Sequence, residues 1–304
     1  MNRSCRLMNP WVFWGLWLLL YSSCTTLSIG TDILTGRDQD RTLAVPPLIW
    51  QDRGPLRYTS GRIKDPPLAF WAVAVNLDNP AVQVVIGPEP LSYGFVPSIR
   101  VSSFAEQFQC LTAINANPFD IESDREGEPR RIVGIAIQEG RILADPVNRY
   151  GALLINRDRI TRIVSQRDLL LPDGSVNTGV LEPVRYAVGG FFPVLQQGRA
   201  LTGRTARYPR SAVGVSQDGK TIYLLAIDGR LLDSLGTTEQ ETGQLLASLG
   251  AWDGLLLDGG GSTSLVIQKQ DGTYTVLNHP IHGGRLNQER AVATCLGFRL
   301  IPAP

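Results

Sequence analysis

The segment Leu257 to Ser264 contains the residues best suited to chemistry. Asp258 follows a short apolar run that is typical of a buried strand, and Gly259, Gly260, Gly261 and Ser262 come directly after it. Glycine lets the backbone approach a ligand closely, and consecutive amides can form an anion-binding concavity. We therefore predict that the Asp258 carboxylate acts beside a bound anion. A tight glycine turn between two strands is the alternative interpretation.

Two nucleotide-binding interpretations of the same glycines fail. A phosphate-binding P-loop requires a lysine after its glycines, and this segment has none. A dinucleotide fingerprint requires a third glycine where Ser264 stands, followed by a helix. The residues that follow, 265–267, are Leu-Val-Ile and predict a strand.

A second carboxylate, Asp228, also ends an apolar run. Two strand-terminal aspartates separated by one helix would converge at one end of a sheet. Paired carboxylates are the usual groups for breaking glycosidic bonds. A turn role for Asp228 is the alternative.

Three arginines could hold an anion, because a guanidinium binds a phosphodiester or a sugar carboxylate with two hydrogen bonds. They are Arg210, Arg230 and Arg290. Asn115 and Asn278 lie at strand ends, where turn roles are the default and substrate binding is the functional alternative.

The remaining polar residues do not predict a metal site or a serine nucleophile. His279 and His282 are the two histidines of the chain, and no carboxylate cluster beside them completes a set of metal ligands. No serine occupies a nucleophile elbow, so Ser-His-Asp chemistry is not indicated.

The surrounding pattern predicts an α+β fold, mainly antiparallel sheet with a few short helices packed on it. Alternating or continuous apolar runs predict strands at 68–77, 81–86, 111–114, 211–215 and 221–227. A short helix is expected at 102–109. A longer one is expected after Thr238, with Glu241 completing a capping box and Gly250 at its end.

Composition excludes some partners. The formal net charge is +1 and charged residues make up 19% of the chain, without a run of Lys or Arg. Nucleic acid is therefore not an expected partner. The 31 glycines and 20 prolines indicate many turns and short strands.

Residues 1–24 are predicted to be a signal peptide or lipoprotein signal. Arg3 and Arg6 precede an apolar run at 11–20 that is too short to span a membrane comfortably. We expect an exported protein, periplasmic or membrane-anchored on the extracytoplasmic side. Membrane contact would come only through this segment or through a lipid on Cys24, and that lipid stays an open alternative.

Residues 25–66 are predicted to be a tether and an irregular leading segment, and residues 67–300 a single domain. Cys110 and Cys295 are expected to be buried thiols, with a disulfide as the alternative.

Taken in order, several short motifs resemble the phosphodiester glycosidase family over roughly residues 67–300. The most specific are the Asp228-Gly-Arg230 and Leu257-Asp-Gly-Gly-Gly-Ser262 blocks. The others are Ala113-Ile-Asn115-Ala116, Ala187-Val-Gly-Gly190, Pro209-Arg210-Ser-Ala-Val-Gly214, Ser234-Leu-Gly236-Thr237, Asn278 with Pro280, and Arg290 with Val292.

This resemblance implies an exported hydrolase that cleaves the glycosidic bond of a sugar-1-phosphodiester, in an exopolysaccharide-related bacterial branch. Asp258 and Asp228 would supply the base or nucleophile, and Arg210 and Arg230 would hold the phosphate. Asn115, Asn278, Ser262 and the glycine amides would complete the substrate site. The expected partner is a sugar-phosphate or envelope glycan, and no cofactor is expected, with a divalent cation left open. A catalytically silent glycan-binding or polysaccharide-assembly module and a cation-dependent phosphodiesterase are the alternatives.

Overall fold

The computed structural model describes residues 42–120 and 125–301, and the predicted signal at 1–24 lies outside them. Three helices occur in this part of the chain: α1 Val101–Gln107, α2 Thr178–Leu181 and α3 Glu239–Leu249. The strands are β1 Gln51–Arg53, β2 Leu56–Lys64, β3 Pro67–Asn76, β4 Val82–Gly87, β5 Phe95–Pro97, β6 Thr112–Asn115, β7 Phe119–Asp120, β8 Pro129–Ile132, β9 Ala136–Gln138, β10 Arg141–Ala144, β11 Gly151–Asn156, β12 Thr161–Ser165, β13 Val184–Gly189, β14 Pro193–Gln196, β15 Arg199–Ala200, β16 Arg210–Val215, β17 Thr221–Ile227, β18 Asp253–Leu256, β19 Leu265–Gln268, β20 Tyr274–Val276, β21 Ile281–His282, β22 Arg285–Leu286 and β23 Cys295–Leu300.

The strands form antiparallel sheets. The largest has eight strands in the order β1-β2-β3-β17-β16-β18-β14-β15. Two five-stranded sheets have the orders β10-β9-β13-β11-β12 and β20-β19-β6-β23-β4. A two-stranded sheet pairs β21 with β22, and a three-stranded sheet has the order β5-β8-β7. The prediction of mainly antiparallel sheet with few helices is confirmed.

Both faces of the eight-stranded sheet are covered, which explains why its central strands are apolar throughout. In β17, Ile222 and Leu224 point into a core shared with the five-stranded sheets. Tyr223 and Leu225 point to the other side, into a core that includes Leu245 and Leu246 of α3. Successive side chains of a strand alternate between faces, so a strand buried on both sides reads as continuous hydrophobic sequence.

Helix α3 begins and ends as its sequence predicts. The Thr238 hydroxyl accepts a hydrogen bond from the Glu241 amide at 3.1 Å, and the Glu241 carboxylate accepts one from the Thr238 amide at 3.0 Å. Gly250 ends the helix with φ of 102°, in the left-handed region that favours glycine. Glu241 also pairs with Arg207 at 2.6 Å, so this carboxylate is fully engaged in structure.

Helix α1 packs on the sheet that contains β6 and β23. Phe104 of the helix shares a buried cluster with Cys110 and Cys295. Both thiols are free and fully buried, as expected from their apolar surroundings. Burial raises the pKa of Cys110 to about 12.

Residues 51–64 correct one expectation, because they form β1 and β2 instead of an irregular leading segment. β2 pairs along its whole length with β3, from Leu56 opposite Val75 to Lys64 opposite Pro67. Leu56, Thr59 and Ile63 are buried while charged and polar residues lie between them. The buried positions are three and four residues apart, so this segment lacks the alternation that predicts a strand. No helix in the described part of the chain is both long and apolar enough to cross a membrane.

Candidate active site

Three neighbouring central strands bring the predicted residues to one end of the large sheet. β16 lies between β17 and β18 and is antiparallel to both, with Arg210 opposite Ile227 and Ala212 opposite Leu256. The start of β16 therefore lies beside the ends of β17 and β18. Asp228, which follows β17, and Asp258, which follows β18, therefore lie at the same end of the sheet as Arg210.

Asn115 holds the glycine segment against this end of the sheet. Its amide donates to the Asp258 carbonyl oxygen at 2.5 Å. Its own oxygen accepts hydrogen bonds from the Ser211 hydroxyl at 2.6 Å and the Ser264 amide at 3.2 Å. Asn115 is fully buried, so these contacts use its polar atoms to position the backbone around Asp258.

Asn278 has a similar role on the other side of the segment. Its oxygen accepts from the Leu265 amide at 2.9 Å, and its amide donates to the Thr263 carbonyl at 3.0 Å. Since only 4% of the residue is exposed, Asn278 positions the turn instead of facing solvent.

The three glycines lie against three different arginines. A Cβ added to Gly259 would lie 3.9 Å from Arg210 Cδ, and one on Gly260 would lie 3.2 Å from Arg230 Nη2. One on Gly261 would lie only 2.8 Å from Arg290 Nη2, too close for a real Cβ. Gly260 and Gly261 thus leave room for the guanidiniums of Arg230 and Arg290 beside one short loop, while Gly259 lies closest to the Pro209 carbonyl and the Arg210 side chain. Gly260 also has φ of 62°, which disfavours other residues.

The arginines at this loop are held in different ways. Arg210 donates to the carbonyls of Thr237 and Ala206, both at 3.3 Å, and lies over the Tyr208 ring. Burial lowers the pKa of Arg210, and the nearby Glu239 charge opposes that shift.

Arg290 is anchored within the loop itself. It donates to His282 Nδ1 at 3.1 Å and to the Ser262 hydroxyl at 3.2 Å. Arg230, in contrast, is an exposed residue in the left-handed region, with φ of 62°. A guanidinium can bind a phosphate group with two hydrogen bonds, so Arg230 and Arg290 at this loop are the side chains suited to one.

One of the three glycine amides is bound within the protein. The Gly260 amide donates to the Pro209 carbonyl at 2.9 Å, and so points into the protein. Ser262 is 1% exposed, and its hydroxyl accepts from Arg290. The Gly260 amide is therefore not directed at an anion beside the loop, whereas the Arg230 and Arg290 side chains lie there.

Asp228 forms a buried pair with His279. One carboxylate oxygen accepts from the His279 backbone amide at 2.8 Å, and the other lies 2.7 Å from its Nδ1. The Asp228 side chain is 1% exposed, whereas that of His279 is 43% exposed. Burial raises the pKa of Asp228, and the His279 hydrogen bonds partly oppose the shift. Asp228 can thus orient an imidazole whose other face reaches solvent.

A cavity of about 710 Å³ opens beside His279. Its lining includes His279, Arg100 at the start of α1, and Arg285 of the β21–β22 hairpin. Strand β21 of that hairpin packs on the glycine loop. A substrate group bound here would therefore lie next to the imidazole.

The structure also brings His279 to this site, a position that its sequence context did not predict. His279 was considered only as a metal ligand, and its partner Asp228 is 51 positions away. The Asn-His-Pro segment beside a strand-terminal aspartate was the available signal. Within residues 42–120 and 125–301, no group of three or more His, Cys, Asp or Glu is placed to hold a metal ion.

Comparison with known proteins gives the family. The phosphodiester glycosidase family model matches residues 108–299, which is more than half of the chain. A prophage-derived uncharacterized protein, YomE of Bacillus subtilis, is 25% identical over 191 residues, covering 60% of this chain and 28% of its own length. The chain thus matches less than a third of that relative.

Three solved structures share the fold. The catalytic domain of zebrafish N-acetylglucosamine-1-phosphodiester alpha-N-acetylglucosaminidase, auto-inhibited by its pro-peptide, has a TM-score of 0.58 and 18% identity, covering 86% of this chain and 89% of that one. A hypothetical protein from Synechocystis has a TM-score of 0.55 and 16% identity over 84% and 64%. A putative exported protein from Burkholderia pseudomallei has a TM-score of 0.52 and 16% identity over 76% and 74%.

The residues of the family match contain the whole candidate site described above, from Asn115 in β6 to Arg290. It includes both aspartates, the glycine loop, the arginines and His279. The chain therefore belongs to the phosphodiester glycosidase family.

Proposed function

We propose that this enzyme hydrolyses the bond between the anomeric carbon of a sugar and the oxygen of a phosphodiester. The observation that carries the proposal is that Asp258 directly precedes a glycine loop whose Gly260 and Gly261 lie against the guanidiniums of Arg230 and Arg290. Water supplies the new hydroxyl on the anomeric carbon, and the phosphate leaves with the former bridging oxygen. The name of the zebrafish structural neighbour, which specifies an N-acetylglucosamine-1-phosphodiester, supports this substrate class.

Arg210, Arg230 and Arg290 would bind the phosphate and stabilise the negative charge that it gains as the bond breaks. A phosphate is a good leaving group, so it needs little help from a general acid. Asn115 and Asn278 keep the loop in place through their backbone contacts.

Asp258 would act at the anomeric carbon, as nucleophile or by stabilising its positive charge. His279, oriented by Asp228, would take the proton from the attacking water. These roles predict that Asp228 works through the imidazole, since its own carboxylate is 1% exposed.

The test is hydrolysis of UDP-N-acetylglucosamine by the parent protein and by Asp258→Asn. Free sugar from the parent alone would support the proposal. Asp78→Asn is the matched control, because that carboxylate is exposed and forms only a surface pair with Lys220. Failure of the parent to release sugar from a panel of sugar-1-phosphodiesters would favour the silent binding module.

Labelled water distinguishes the bond that breaks. Oxygen from water should appear in the released sugar. Its appearance in the phosphate, together with loss of activity in chelator, would favour the cation-dependent phosphodiesterase. We propose that the enzyme needs no cofactor, so chelator should leave its activity unchanged.

We also propose that the protein is exported and acts on an envelope glycan. The support is the sequence of residues 1–24, which resembles a secretory or lipoprotein signal. Cell fractionation of the full chain and of Cys24→Ala tests this. A parent protein confined to the cytoplasm would contradict export, and equal membrane retention of both forms would contradict lipidation.

A further inference from the structure

A second cavity lies away from the arginines, at the edge of the large sheet. It is a groove of about 690 Å³ between β12 on one side and β14 with its following turn on the other. We call it the aromatic groove, defined by Phe192, Trp252, Gln196, Gln197, Thr202 and Glu239. Its volume falls within the range of about 300–1,000 Å³ typical of small-molecule sites.

Two rings give the groove apolar surface. Phe192 and Trp252 are both half-buried, so part of each ring faces the groove. Phe192 is held by edge contacts with Tyr150, at a centroid distance of 5.6 Å, and by the Arg204 guanidinium at 5.3 Å. Trp252 packs against Gly198, where an added Cβ would lie 3.3 Å from the indole ring. The rings are therefore fixed before any ligand arrives.

The charges of the groove disfavour an anion. Among its described lining residues, the charged ones are the carboxylates Asp168, Glu239 and Asp253. Two of them are already bound to backbone, since Glu239 accepts from the Arg204 amide at 3.1 Å and Asp253 from the Gln197 amide at 2.9 Å. The three carboxylates disfavour a phosphate here, because the single Arg204 guanidinium over the Phe192 ring offsets only part of their charge.

The uncharged polar side chains favour a ligand with many hydroxyls. Gln196, Gln197 and Thr202 are exposed at the rim. Amide, hydroxyl and carboxylate groups can exchange hydrogen bonds with sugar hydroxyls, while aromatic rings contact the apolar faces of a sugar ring. A neutral saccharide satisfies both kinds of surface.

The groove is connected to the phosphate site by a short segment. Leu201 and Thr202 of this segment line the groove, and the segment continues to Arg210 beside the glycine loop. Glu239 links the two places, because it lines the groove and its charge acts on the Arg210 guanidinium.

We infer that the aromatic groove binds a neutral saccharide that belongs to the same substrate, beyond the phosphate held by the arginines. This inference rests on the proposed function, and it makes the substrate a phosphodiester carrying sugar on both sides. The small nucleotide sugar would then fill only part of the enzyme.

Binding is measured first, without any need for hydrolysis. Calorimetric titration of the full chain with neutral tetrasaccharides of N-acetylglucosamine, glucose in β-1,4 linkage and glucose in α-1,4 linkage should detect one of them. Trp252→Leu and Gln196→Ala should each weaken that binding about tenfold. Trp50→Leu is the matched control, since Trp50 is also half-buried but does not line the groove.

The kinetic arm compares UDP-N-acetylglucosamine with a phosphodiester extended by the tetrasaccharide that binds. Trp252→Leu should lower kcat/KM for the extended substrate about tenfold and leave the small one unchanged. Tetrasaccharide binding with no hydrolysis of either substrate would overturn the proposed function while supporting the groove.

Three results would overturn the saccharide inference. The first is no binding of any tetrasaccharide at millimolar concentration, and the second is binding that Trp252→Leu and Gln196→Ala do not weaken. The third is binding of choline in the groove in place of a saccharide, because aromatic rings with carboxylates also suit a quaternary ammonium group.

Discussion

Replacing Asp228 with asparagine tests the proposed role of the buried aspartate–histidine pair. Asparagine has nearly the same shape and can still accept the hydrogen bond from the His279 backbone amide. Its NH₂ group would face Nδ1 of the imidazole, where the carboxylate now lies at 2.7 Å. The ring would then lose its charged partner.

The size of the effect follows from that single contact. A hydrogen bond to a charged group contributes about 1.5–3 kcal/mol. If that energy stabilises the imidazole as it takes a proton, its loss should lower kcat/KM roughly 10- to 150-fold. Stability should change little, because removing a buried charge offsets part of the lost hydrogen bond.

The assay is sugar release from UDP-N-acetylglucosamine by Asp228→Asn, His279→Gln, the double variant and the Asp78→Asn control. If Asp228 acts only through His279, the double variant should be no slower than His279→Gln alone. A folded Asp228→Asn protein within about threefold of the parent, which is less than ~1 kcal/mol, would refute the reasoning.

The pH profile provides a second reading of the same residue. Burial raises the pKa of Asp228, and its ionised form is the one that would hold the imidazolium. Activity should therefore fall with decreasing pH through an apparent pKa above 3.8, the value of an unburied aspartate. The same shift makes the folded state hold this proton more tightly than the unfolded chain, so it lowers the free energy of unfolding as pH rises through that range. An acid limb at or below 3.8 would contradict this assignment.

Other parts of the molecule give further predictions. Gly261→Ala should lower kcat/KM roughly 10- to 100-fold, because its Cβ would displace Arg290, whereas Gly179→Ala, with ordinary spacing, should leave kcat/KM unchanged; equal activity of the two variants would argue against the arginine contact. Thr238→Ala should cost about 1 kcal/mol of stability through loss of the α3 cap, measured by urea unfolding, and an unchanged midpoint would contradict this. The Cys110 thiol, buried with a pKa of about 12, should react with a thiol reagent only after unfolding, so rapid labelling of the native protein would show that the cluster under α1 opens.

Much of the fold could be predicted because its signals are local. The cap of α3 depends on Thr238 and Glu241, which are three residues apart, and each predicted strand has its own apolar run. The placement of Asp228 and Asp258 at the same end of the sheet also followed from their positions at strand ends. β2 was missed because exposed charged residues interrupt its buried positions.

The site's internal division of roles could not be predicted in the same way. Asn115 resembles a substrate-binding residue in sequence, yet its hydrogen bonds go to Asp258, Ser211 and Ser264, as far as 149 positions away. Which polar atoms are satisfied by the protein becomes visible only when distant segments are in contact. His279 shows the converse, since the role proposed for it depends on its contact with Asp228.

The position of β23 determines when the active site can assemble. This strand, residues 295–300, lies between β6 and β4, although its paired residues are separated by between 180 positions, for Cys295 and Asn115, and 218 positions, for Leu300 and Val82. β6 carries Asn115, which fixes the Asp258 loop. A nascent chain that has not reached residue 295 therefore lacks the strand that joins β4 to β6 in this sheet. Such late closure, through contacts of high sequence separation, predicts slow folding and catalytic competence only after β23 has been inserted.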